Sequence, residues 1–71
     1  MSVIKNQKFV VAITLEDGSV LRGIQKAHYA HPAIAFFAKA NGVTYKAGSA
    51  EKLENFEYFL AKGLRKPLEA N

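Results

Sequence analysis

Cysteine is absent from the 71 residues, so neither a disulfide nor a thiolate metal site can be built. No run approaches the ~18 apolar residues of a membrane span, and the N-terminal stretch has no apolar core of the signal-peptide kind. A cytoplasmic protein without a membrane partner is the expectation. No glycine-rich loop leads from a strand into a helix in the Walker or dinucleotide style, which removes the usual phosphate cradles. Acidic residues are missing between Gly18 and Ala50, while Arg22, Lys26, Lys39 and Lys46 fall in that interval. The formal charge of +4 is therefore unevenly placed, with a basic middle and a slightly acidic C-terminal segment. A field of one sign draws an anionic partner, although the same charges also keep a small chain soluble.

What is present is enough apolar material for one core. The chain is 49% hydrophobic, with five Phe and three Tyr. A chain this short buries only roughly 60% of its unfolded surface. A single domain over 1–71 follows, with flexible ends expected at about 1–7 and 65–71. Phe9 to Leu15 alternates, Phe9, Val11, Ile13 and Leu15 on one side and Val10, Ala12 and Thr14 on the other. Both sets are apolar and often β-branched, as in a central strand. Glu16-Asp17-Gly18-Ser19 is a turn, and Val20 to about Ala27 returns. The register stays open, because two- and three-residue loops set different side chains opposite Leu15.

The stretch VAITLEDGSVLRG resembles the first hairpin of Sm-like small barrels. That resemblance implies a small, strongly bent sheet. The acidic residue and Asn that follow the next strand in that family are missing, and no binding residue is carried over.

Pro32 breaks the chain after His28-Tyr29-Ala30-His31. The run Ala33 to Ala40 reads as a strand that turns at Asn41-Gly42 and pairs with Val43 to Ala47. A helix starting at Pro32 and ending at Gly42 is the alternative, favoured by four alanines. From Ser49 to Leu64 the pattern is helical: Leu53, Phe56, Leu60 and Leu64 share a side. Ser49 is the expected N-cap, Glu51 and Lys62 match the dipole, and Gly63 is the expected terminator. The fold class expected is α+β: a small antiparallel sheet of three to four strands, with one amphipathic C-terminal helix packed on one face. The preferred order is β-β-β-β-α, and β-β-α-β-α the alternative.

Candidate chemistry is sparse. His28 and His31 are the only groups suited to neutral-pH proton transfer, and no catalytic residues, cofactor or metal ligands are assigned. Two imidazoles fall short of the three or four ligands that zinc needs. Asp17, Ser19 and Ser49 are explained by turns and caps. The expectation is a non-catalytic regulatory module, an accessory or inhibitory protein docking on a larger machine of nucleic-acid transactions such as transcription. The alternative is direct RNA or DNA binding on a basic sheet face, with Tyr29, Phe37 and Tyr45 as stacking faces. Candidate contact residues are Arg22, Lys26, His28, Tyr29, Lys39, Lys46 and Tyr58. The partner expected first is a protein with an acidic surface, with nucleic acid or a second copy as alternatives. An edge strand carrying Arg22 and Lys26 would also accept an added strand, unless those charges are there to prevent it.

Overall fold

The computed structural model describes residues 6–68. The elements are β1 (Gln7–Leu15), β2 (Val20–Ala27), α1 (Ala30–Ala40), β3 (Tyr45–Lys52) and α2 (Leu53–Ala61). The strands form one antiparallel sheet in the order β2-β1-β3. This is the α+β class expected, with β1 central and β2 at an edge. Among the described residues the sheet has three strands.

The first hairpin settles the register with a three-residue loop. Gly18 N–H donates to Leu15 O at 2.9 Å and Leu15 N–H to Ser19 O at 2.8 Å. Gly18 has φ +90°, the left-handed value that a type I turn followed by a bulge demands. Asp17 Oδ1 accepts from the Ser19 amide at 2.9 Å and from its hydroxyl at 2.6 Å. Those two bonds hold the Asp17 carboxyl below its ordinary pKa, the hydroxyl bond contributing most. The resulting ladder sets Lys8 opposite Lys26, Val10 opposite Ile24 and Ala12 opposite Arg22.

The preferred reading of Ala33–Ala40 as a strand is overturned: the segment lies within α1, and the order is β-β-α-β-α. The buried and half-buried positions Ala30, Ala33, Ile34, Phe37 and Ala38 recur at helical spacing. Pro32 occupies the third helical position, where its missing amide costs no helical bond. Asn41-Gly42 closes the helix instead of a hairpin. Val43 N–H donates to Ala38 O and Gly42 N–H to Lys39 O, both at 3.1 Å, a Schellman pair. The same device ends α2, through Leu64 to Phe59 O at 2.8 Å and Gly63 to Leu60 O at 3.0 Å.

Three further expectations change. Ser49 is not a cap but a member of β3, paired with Ala12, and Glu51 pairs with Val10. Strand β3 therefore begins at Tyr45 and runs straight into α2, whose N-cap position is Lys52. Leu64 lies past the helix end and is exposed, so the buried stripe shrinks to Phe56, with Leu53 and Leu60 half-buried. Of the ends, Gln7 is already in β1, its side-chain amide donating to His28 O at 3.1 Å. Residues 65–67 are held by contacts described below. Of the other positions expected to be flexible, Asn6 and Leu68 belong to no strand or helix, and 1–5 and 69–71 lie outside the described residues.

The two helices take opposite faces. Phe9, Val11 and Ile13 point toward α1 and form the core with Ala27, Ala33, Phe37 and Ala38. Each large side chain buried there contributes about 1.5–3 kcal/mol. Val10 and Ala12 point the other way, toward α2, which packs over β1 and β3 and buries Phe56. No helix among the described residues is long and apolar enough to cross a membrane.

Candidate functional site: the half-covered sheet face

Cross-strand rows define the face that carries α2. In order across β2, β1 and β3 they are Val20–Thr14–Ala47, Arg22–Ala12–Ser49 and Ile24–Val10–Glu51. Lys26–Lys8 completes the face at the end where β1 begins. Helix α2 lies over the β1–β3 side, and the segment after it reaches β2 only at Arg22, through Lys66 and Pro67, with Val20 and Ile24 exposed on either side. Val20 is 60% exposed and Ile24 47%, and Lys8 and Lys26 are exposed directly across from each other. Like charges opposed in a ladder lower stability. Among the described residues neither lysine has a carboxylate within ion-pair distance, although Glu54 borders the same end of the sheet as Lys8.

The middle row holds the most structured charge. Arg22 is half-buried, and its Nη2 donates to Lys66 O at 2.8 Å and its Nη1 to Pro67 O at 3.4 Å. Its guanidinium carbon sits 6.0 Å from the Phe56 ring centre. Arg65 grips Glu51 with both arms, Nε to Oε2 at 2.8 Å and Nη2 to Oε1 at 3.3 Å, and lies 4.6 Å over the Phe59 ring. The hydrogen bond to Glu51 holds the Arg65 guanidinium above its ordinary pKa. Between the two arginines is an open cavity of about 410 Å³, lined by Val10, Ala12, Ser49 and Glu51 of the sheet and by Phe56 of α2. It exists because the central row reads Arg–Ala–Ser, with the smallest side chain in the middle.

The seven candidate contact residues do not form one surface. Arg22 and Lys26 share the open face, as their alternation required. Lys39 sits in the last turn of α1, on the opposite side of the sheet. Lys46 is the extra residue in a bulge of β3, where pairing jumps from Thr14–Ala47 to Leu15–Tyr45. The basic middle is thus scattered, because β1 threads between its members and α1 crosses the far face. His28 and Tyr29 are exposed between β2 and α1, and His31 is exposed on α1. Among the described residues no group of three or more His, Asp or Glu is arranged to hold a metal. Tyr58 is 58% exposed on α2, edge-on to Phe59 at 5.4 Å, with Lys62 Nζ 5.1 Å from its ring centre.

The stacking platform expected for single-stranded nucleic acid is not assembled. Phe37 belongs to α1 and is buried against the sheet at 7% exposure, and Tyr45 packs against the core. Of the three, only Tyr29 offers an open ring. Sequence reasoning missed Lys8, Ile24, Ala12 and Arg65. The hairpin register would have found the first three, since a three-residue loop alone sets Lys8 across from Lys26. No family model, curated protein or solved structure matches the chain.

Proposed function

We propose that this protein is a non-catalytic docking module, an accessory or inhibitory protein that binds an acidic surface of a larger assembly working on nucleic acid, as in transcription. One observation carries the reading: α2 covers only part of its face of the sheet, leaving Ile24 exposed beside Lys26 and Lys8, with Val20 exposed on the far side of Arg22. An exposed apolar side chain next to cations of one sign is suited to a partner with an apolar anchor inside an acidic rim. The opposed lysines support it as well, because their mutual repulsion is relieved by an anionic partner. The β2 side meets proteins through side chains rather than through stacking on bases.

The test is recovery of partners on immobilised protein, wild type against the double variant Ile24→Glu, Lys26→Glu. A defined set of proteins held by wild type, released by salt and lost with the variant is the expected result. Equal recovery by both would overturn the proposal. Titration of oligonucleotides at two salt concentrations serves as the companion measurement. Tight binding that falls steeply with salt would assign the face to nucleic acid instead.

A further inference from the structure

The proposed docking face contains a site more specific than its exposed Val20 and Ile24. Arg22 is half-buried, yet what its guanidinium holds are two main-chain carbonyls. Carbonyls accept hydrogen bonds but carry no net charge. Among the described residues no carboxylate lies within ion-pair distance of it. Partial withdrawal of a cation from water costs free energy that a neutral acceptor offsets only in part. Glu51, the carboxylate in the cavity wall, is engaged by Arg65 through both oxygens. Among the described residues the cavity therefore has one positive charge without a carboxylate partner, on Arg22, beside a lining of Val10, Ala12 and Phe56.

We infer that this cavity receives a glutamate or aspartate side chain of an acidic protein segment, with its carboxylate on the unused donors of Arg22. Arg22 has five N–H donors and uses two on the carbonyls, so a carboxylate need not displace the strap formed by Lys66 and Pro67. The methylene stem of the incoming residue lies on Ala12 and the Phe56 ring. A phosphodiester has no such stem, which favours a protein segment over nucleic acid. The inference rests on the docking reading but names its anchor, and it is tested without the partner.

The probe is a short blocked peptide of alternating alanine and glutamate, with the glutamine counterpart as control. Full-length, isotope-labelled protein is titrated and followed by NMR at the Arg22 Nε–H and the Ala12 and Ser49 amides. A saturable shift with the glutamate peptide and none with the glutamine peptide is expected. Arg22→Gln weakens binding at least about tenfold, as expected for loss of a charge-assisted hydrogen bond. Ser49→Glu supplies a carboxylate from the same cross-strand row and abolishes probe binding while the spectrum stays dispersed. This second variant keeps the test valid if Arg22→Gln fails to fold. Each titration is repeated with Glu69→Gln, so that an acid outside the described residues does not decide the outcome. Absence of a saturable shift in both backgrounds, equal response to the glutamine peptide, or undiminished binding by Ser49→Glu overturns the inference. So does an oligothymidylate that shifts the same signals more strongly. If the probe fails but partner recovery still depends on Ile24 and Lys26, the cavity falls and the docking face stands.

Discussion

The ring of Phe37 lies directly on the backbone of Gly23. A Cβ at that glycine would come within 2.6 Å of Phe37 Cε1 and 2.9 Å of Cζ. Gly48 plays the same part on the other flank of β1, where a Cβ would meet Ile34 Cγ2 at 2.7 Å and Ile13 Cγ2 at 3.2 Å. Helix α1 thus settles onto the sheet through two gaps on either side of the Val11–Ile13 row. Strand glycines usually weaken a sheet by their flexibility. Here the missing side chains let Phe37 and Ile34 of the helix approach the strand backbone closely.

Gly23→Ala is therefore expected to destabilise the fold by about 1–3 kcal/mol, the cost of overpacking against a buried ring. Thermal denaturation reads it as a lowered midpoint. Adding Phe37→Leu to Gly23→Ala should recover part of the loss. A Gly23→Ala protein as stable as wild type would show that α1 is not seated on that glycine.

Phe56 is the one fully buried side chain of α2, at 4% exposure. Phe56→Ala is expected to cost about 3 kcal/mol, and to act first on that helix. Hydrogen exchange should accelerate over Leu53–Ala61 while the amides of β1 and α1 keep most of their protection. Uniform loss of protection would mean that both faces unfold as one unit.

The turn at Asp17 titrates in a direction set by its bonds. Its folded-state pKa lies below the ordinary aspartate value, held there chiefly by the Ser19 hydroxyl. A depressed acid stabilises the folded chain above its unfolded pKa and loses that contribution as pH falls through the folded one. An NMR titration should place the Asp17 midpoint below 3.8 in the wild type. Ser19→Ala, which removes the hydroxyl donor that acts most strongly, should raise it. No upward movement in that variant would assign the shift to the backbone alone.

Val20 and Ile24 are exposed in excess of what the core uses. Val20→Thr and Ile24→Thr should each change stability by no more than about 0.5 kcal/mol, as surface substitutions do. Partner recovery should nevertheless drop with Ile24→Thr. A large loss of stability in chemical denaturation would reclassify Ile24 as core and remove it from the proposed docking face.

The central strand, the Asp-Gly turn and the helix ending at Gly63 were legible because each is set by neighbours in the chain. Alternation over Phe9–Leu15 fixes a strand whatever packs on it, and Gly63 ends a helix by its freedom to adopt positive φ. Ala33–Ala40 was read the wrong way for an identifiable reason. Asn-Gly serves a tight hairpin and a helix C-terminus equally, and Phe36 beside Phe37 fits either period. Only the presence of Phe9, Val11 and Ile13 beneath it makes the helical face the one that is buried. The segment around Ser49 failed similarly, since a serine before a helical stripe resembles a cap until a neighbouring strand claims its backbone.

The amino-acid order by itself determined the elements whose periodicity and terminators are local, and it determined that positive charge dominates the middle of the chain. Which charges meet was decided by the tertiary structure alone. Pairing across β1 brings Lys8 to Lys26 and lines up Arg22, Ala12 and Ser49, whereas α1 carries Lys39 to the far side. Contacts between strands depend on register, and a shift of one residue turns every side chain to the other face.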